Sequence, residues 1–300
     1  MTMISLAKPK QSITQTPWFS WSMAIYTMLA FSSITPLARA AIGLGMNPTT
    51  ILFLRYSIAT VLFGLILGLT AKKHFFLDRR GLVICVVSGL FGGATTLTYY
   101  WALTRLSASI AAMLVSFYPL LVLVLLSLRG EKINKRQKLR LILGLGGVYL
   151  IIGPHGHVDF IGIVLIMTTA LLYALQLVFI QWYIKDYDAR ATTFYMSVGG
   201  LITVTIFWLI QGVPWANPET MGWVYIGAIT IFGTVLVRLA MFMAIRGIGS
   251  GQVALLAPPE TLLAVTWSIL FLQETLSLLQ WLGSALIIFS ALLTLQRAQK

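Results

Sequence analysis

The chain has 300 residues, of which 58% are hydrophobic and only 10% charged, with a mean hydropathy of +0.90. A soluble domain carries roughly 25% charged residues, so most of this chain has no water to face, and a water-soluble globular enzyme is excluded. The net charge of +13 would suggest a nucleic-acid partner on a soluble protein; here lysine and arginine collect on one side of a membrane, and no nucleic-acid binding is expected.

Residues 1–17 read as a polar leader on the cytoplasmic side, with Lys8 and Lys10. Apolar segments follow at 18–38, 50–70, 81–103, 108–128, 138–153, 160–183, 192–211, 220–245, 251–273 and 276–296. A membrane helix needs about 20 mostly apolar residues. Backbone groups in lipid must be satisfied internally, so each run is predicted to be a helix. The runs are continuous rather than alternating, which argues against a barrel. The predicted fold is all-α and integral to the membrane, with about ten spans and short loops. Ala38-Arg39-Ala40 mimics a signal-peptidase site. The preceding stretch is long for a signal peptide and an arginine interrupts the site, so the first span is expected to be retained.

Orientation follows from the basic residues. With the N-terminus inside, Lys8, Lys10, Lys72, Lys73, Arg79, Arg80, Arg129, Lys132, Lys135, Arg136, Lys138, Arg140, Lys185, Arg190, Arg246, Arg297 and Lys300 fall on the cytoplasmic side. Arg39 and Arg105 fall outside, and Arg55 and Arg238 lie within predicted spans. That asymmetry predicts a multi-pass protein of the plasma (cytoplasmic) membrane with both termini inside.

An internal repeat is visible. Ala102-Leu103-Thr104-Arg105-Leu106-Ser107-Ala108-Ser109 lines up with Ala244-Ile245-Arg246-Gly247-Ile248-Gly249-Ser250-Gly251. Glu131 lines up with Glu274, Gln137 with Gln280, and Thr49-Thr50 with Thr192-Thr193. The halves are 18–153 and 160–296, each with five predicted spans. Five is odd, so the second half must enter the membrane upside down. The loop after Glu131 is basic, while its counterpart Thr275 to Gln280 has no basic residue. Inverted repeats of this kind suit alternating access around a central site.

These features resemble the EamA-type drug/metabolite transporter superfamily over nearly the whole chain. The resemblance is carried by the duplicated five-span unit and the small-residue pattern before spans four and nine. Gly130-Glu131, Gln273-Glu274 and Phe53-Leu54-Arg55-Tyr56 add to it. Gln273 departs from the glycine often found before the second glutamate. The resemblance implies ten helices, a central cavity lined mainly by spans 1, 3, 4, 6, 8 and 9, and export of amino acids, drugs or other metabolites. It implies no substrate.

A charge inside hydrocarbon costs at least about 2.5–3.5 kcal/mol on insertion scales, so each needs a reason. Arg238 on the eighth span and Glu260 on the ninth lie at matching depths, roughly 12–14 Å from the inner end. Neither has a charged counterpart in the first half: Arg238 aligns with Thr96, and Glu260 with Phe117 or Tyr118. They could hold a zwitterionic solute by its carboxylate and amine, Glu260 could carry a coupling proton, or the two could form a structural ion pair. Further substrate-binding candidates lie on helical stripes: Thr230 and Thr234 with Arg238, Thr169, Tyr173 and Gln176 on the sixth span, and Thr95 with Tyr99 on the third. Interhelical hydrogen bonding without a solute would give the same stripes.

Other features have structural readings. Pro36, Pro119 and Pro258-Pro259 are expected to kink their spans. Arg55 is expected to snorkel to the outer interface or meet a lipid phosphate. Glu131 and Glu274 are expected to cap the starts of spans five and ten. Gly64 and Gly68 form a small-residue face for packing or a dimer, and either a monomer or a homodimer is compatible with the sequence. Trp18, Trp21, Trp215 and Trp223 read as interfacial anchors. Cys85 is the lone cysteine.

No enzyme is expected. His155, His157 and Asp159 lack a fourth ligand, His74 and Asp78 have no matching constellation, and no phosphate-binding glycine loop is present. No catalytic residue, metal or cofactor is predicted. The function expected is a secondary active transporter for small organic metabolites (amino acids or related amphipathic solutes), an exporter in the sense of the family it resembles. The alternative is a non-transporting membrane protein that interacts with lipid or acts as a receptor.

Overall fold

In a computed structural model, the structure describes residues 17–70, 77–128, 135–153, 159–183, 187–212, 218–248, 252–253 and 256–295. Every regular element among them is helical. We number α1 (Pro17–Gly43), α2 (Pro48–Thr70), α3 (Arg79–Ala102), α4 (Ala108–Val115), α5 (Tyr118–Ser127), α6 (Lys135–Ile152), α7 (Phe160–Tyr183), α8 (Ala189–Gln211) and α9 (Thr220–Gly227). A π-helical segment, Ala228–Leu236, joins α9 to α10 (Val237–Ile248), and α11 (Ala257–Leu272) and α12 (Leu278–Leu295) close the chain.

Seven helices are long and apolar enough to cross a membrane, counting α4 with α5 and α9 through α10 as continuous rods, and two shorter apolar helices lie in α11 and α12. α6 begins with the basic run Lys135-Arg136-Gln137-Lys138. The chain is therefore a multi-pass integral membrane protein, and the predicted apolar segments each coincide with a helix or a kinked pair of helices.

Local chemistry sets the helix ends. Asn47 accepts hydrogen bonds from the backbone N–H groups of Thr49 (2.8 Å) and Thr50 (3.3 Å), with Pro48 at the first helical position. Asp159 accepts from Gly162 N–H (2.7 Å) to start α7. The N–H bond from Gly162 and the Arg105 guanidinium hold the Asp159 carboxyl below its ordinary range. Asp188 accepts from Arg190 N–H (2.9 Å) and Ala191 N–H (3.4 Å) to start α8, which ends at Gly212 in the left-handed region (φ 56°). Asp188→Ala should cost about 1 kcal/mol of stability through loss of this cap, read as a lowered unfolding midpoint of the purified protein.

Two expectations about proline are refined. Pro119 sits in the first turn of α5, so the fourth span does break there, between α4 and α5. Pro258 and Pro259 occupy the first turn of α11, where missing N–H groups cost nothing.

α3 is the packing centre and lies against both α7 and α8; α6 pairs with α12, and α1 packs on α10 and α11. Small residues allow the closest approach. A Cβ on Gly89 of α3 would meet Met196 O and Gly199 Cα (2.9 Å) of α8, all backbone atoms. Gly64 faces the Phe194 ring of α8, so this part of the predicted small-residue face packs within the chain.

Candidate functional site

Glu260 lies in the first turn of α11, where the free N–H groups and positive dipole end favour a carboxylate. It is half-buried. The next residue, Thr261, shares a hydrogen bond of 2.9 Å with Ser116, tying α11 to the end of α4. The Glu260 charge acts on the hydroxyls of Tyr99, Tyr118 and Tyr173. Tyr118 and Tyr173 meet edge to face at 4.7 Å. Tyr99 shares a hydrogen bond of 2.7 Å with Thr35 of α1. The site thus draws on α1, α3, α5, α7 and α11.

Arg238 lies in the first turn of α10. It is exposed, and its charge acts on the Tyr173 hydroxyl together with that of Glu260. The anticipated ion pair does not form: among the described residues the salt bridges are Arg105–Asp159 (3.3 Å) and Arg190–Asp188 (3.2 Å). Arg238 and Glu260 therefore form no salt bridge with each other.

The remaining candidates divide. Gln176 is buried, and its side-chain N–H donates to Ser88 O on α3 (3.1 Å). Thr95 is buried and donates to Phe91 O of its own helix (2.8 Å). Thr169 donates to Thr98 (2.8 Å) across the α3–α7 contact. Thr234 donates to Ile229 O five residues back, the π-helical spacing, at 3.0 Å. Tyr99 and Tyr173 are the stripe residues brought beside Glu260.

Arg55 turns into the bundle. It lies half-buried inside the bundle, donating from Nε to Thr234 Oγ1 (3.0 Å) and from Nη1 to the Tyr100 hydroxyl (3.1 Å). α2 is apolar on all sides, so its sequence does not say which way Arg55 points.

Glu274 does not cap its own helix either. Its Oε1 accepts from Ala108 N–H (2.7 Å) and its Oε2 from Ser109 N–H (2.8 Å), at the start of α4. α12 is started instead by a capping box, in which Ser277 N–H donates to Gln280 Oε1 (2.9 Å) and Gln280 N–H to Ser277 Oγ (3.3 Å). Glu131 lies outside the described residues, as do His74, His155 and His157. Among the described residues no cluster of side chains has metal-ligand character. An open cleft of about 500 Å³ between α3 and α7 is lined by Arg79, Arg80, Val83, Ile84, Phe179 and Tyr183, and includes none of the predicted site residues.

A bundle with seven helices long and apolar enough to cross a membrane defines a multi-pass integral membrane protein. The EamA-like transporter family matches residues 18–153 and again 160–296, and the chain belongs to that family. Relatives include an uncharacterized transporter of Archaeoglobus fulgidus, 26% identical over 76% of this chain and 83% of that one. The uncharacterized transporter YvbV of Bacillus subtilis is 29% identical over 88% of both. The pseudopaline exporter CntI of Pseudomonas aeruginosa is 21% identical over 73% of this chain and 76% of its own. A solved crystal structure superposes with a TM-score of 0.62 over 94% of this chain at 18% identity, which shows a shared fold.

Proposed function

We propose that this membrane transporter is a secondary active exporter of small amphipathic metabolites of the amino-acid type. It works by alternating access between two inverted five-span halves, 18–153 and 160–296, in the plasma membrane with both termini in the cytoplasm. The single observation that carries this reading is that Arg238 and Glu260, opposite charges on the consecutive helices α10 and α11, form no salt bridge with each other. An apposed ion pair would be a scaffold element. Separated charges beside Tyr99, Tyr118 and Tyr173 instead offer one group to a carboxylate and one to an amine. The two family matches and the basic bias of one set of loops support the halves and their orientation. The relative that exports pseudopaline supports the outward direction. A titrating Glu260 would couple such transport to protons.

The test is efflux of a radiolabelled amino-acid mixture from proteoliposomes. Glu260→Gln and Arg238→Met should each lower the rate at least about tenfold, the loss of ~1.4 kcal/mol expected when one charged contact to the solute is removed. Insertion and melting should stay near wild type. Unchanged rates and pH profiles in both variants would remove the site from the mechanism. An efflux that never exceeds empty vesicles for any component would favour a non-transporting role.

A further inference from the structure

We propose that Arg55 is the centre of a second interior site, between α2, α3 and the π-helical segment, that takes a carboxylate of the solute. It goes beyond the Arg238–Glu260 reading and uses none of its residues. A guanidinium has five N–H donors and is charged at all accessible pH. Arg55 directs two of them to neutral oxygens, Thr234 Oγ1 and the Tyr100 hydroxyl. Among the described residues no carboxylate lies within ion-pair reach, because both carboxylates that form salt bridges belong to other arginines. Yet the residue is half-buried within the bundle rather than extended to water.

A cation in this setting is costly unless an anion joins it. Hydroxyl groups orient a guanidinium without neutralising it. Nε and Nη1 are engaged, and Nη2 donates to no protein group among the described residues. One end of the planar fork therefore stays free for an oxyanion, the geometry that arginine recognises best.

A second observation points to the same place. Thr230, four residues before Thr234 in the π-helical segment, has a fully buried hydroxyl without a hydrogen-bond partner. At about 4.4 residues per π turn the two threonines lie roughly one turn apart on one face, and π-helical turns are frequent at functional sites. A buried orphan hydroxyl about one π turn from the Thr234 that Arg55 engages is polar lining that an oxyanion would complete. The oxyanion chemistry could come from a solute carboxylate or from a phosphate of a lipid headgroup. The position among three packed elements favours the solute.

The experiment measures thermal unfolding of the full-length protein in dodecyl maltoside, which carries no phosphate. The probes are acetate, L-glutamate and inorganic phosphate, each compared with chloride at equal ionic strength. A carboxylate should raise the wild-type midpoint by about 3 °C or more. That rise should vanish in Arg55→Gln and persist in Arg238→Met. Should Arg55→Gln fail to fold, Arg55→Lys gives the same contrast, since it keeps the charge but loses the fork. No carboxylate-dependent rise in the wild type overturns the proposal. So does a rise that survives Arg55→Gln and disappears in Arg238→Met, which assigns the carboxylate to the central pair. A rise with phosphate alone assigns Arg55 to lipid and also overturns it. Because no transport is measured, failure here leaves the exporter reading standing, and failed efflux leaves this result intact.

Discussion

Gly199→Ala and Gly89→Ala are each expected to destabilise the protein by about 2–3 kcal/mol, the upper part of the range for overpacking. The added methyl is the smallest possible change, so the reason must be unusually rigid surroundings. A Cβ on Gly199 would meet Val86 O, Gly89 Cα at 2.9 Å and Leu90 N at 3.0 Å. All three are backbone atoms of α3, and a backbone in a packed helix cannot rotate aside as a side chain can. α3 and α8 would have to separate. α3 also packs on α7, so the displacement would spread into the element that carries Tyr173. In lipid no hydrophobic driving force pulls the helices back, and close van der Waals contact between small residues is what holds such a pair. Gly146→Ala is the control: nothing lies within 4 Å of its Cβ position, and alanine is the better helix former. Its unfolding midpoint should equal or exceed that of wild type. The measurement is thermal unfolding of purified protein followed by size-exclusion, and equal midpoints for all three variants would show that α3 and α8 are not locked by this contact.

Much of the fold is legible in the sequence because lipid simplifies the code. A chain with no water to face must place helices where it is apolar, and the ten apolar segments coincide with helices. Their ends were readable too: Asn47, Asp159 and Asp188 all stand where acceptors are needed. What lipid hides is facing. α2 offers no polar side from which to orient Arg55, so snorkelling and burial fit its sequence equally well. The stripe through Thr230, Thr234 and Arg238 assumes 3.6 residues per turn. The π-helical segment widens the turn: Thr230, buried, and Thr234, bonded to Arg55, keep one face, while Arg238 beyond the segment is exposed.

Partners distant in the chain are the second thing hidden. Tyr118 meets Tyr173 edge to face at 4.7 Å, and the repeat alignment set Phe117 or Tyr118 opposite Glu260 without saying which neighbours either would meet. Thr35 and Ser116 carry no comparable mark. Glu274 is the clearest instance. A glutamate shortly before a helix looks like that helix's own cap, and only the competing pair Ser277 and Gln280, spaced as a capping box, hinted that the position was already filled.

Glu274→Ala should therefore destabilise the protein by about 3 kcal/mol, more than an ordinary cap residue, because it removes two charge-assisted bonds at once. Ala108 and Ser109 are both buried, so their N–H groups cannot turn to water when the carboxylate is gone. The helix dipole adds to the loss, since the start of α4 has no other charged acceptor among the described residues. Ser107 Oγ accepts only the third N–H, from Ile110, at 3.4 Å, and Ser107→Ala should cost no more than about 1 kcal/mol. Glu274→Gln separates charge from shape. The amide keeps one acceptor but turns an NH₂ donor toward a second N–H donor, so it should fall close to alanine rather than close to wild type. Glu274 belongs to the second family match and α4 to the first, so this contact also clamps the two copies together at one end of the bundle. Partial cleavage by protease in the detergent-solubilised protein should then rise for Glu274→Ala near residues 105–109 while the sites around α8 stay protected. Equal midpoints for wild type, Glu274→Gln and Glu274→Ala would show that the clamp contributes nothing to the fold.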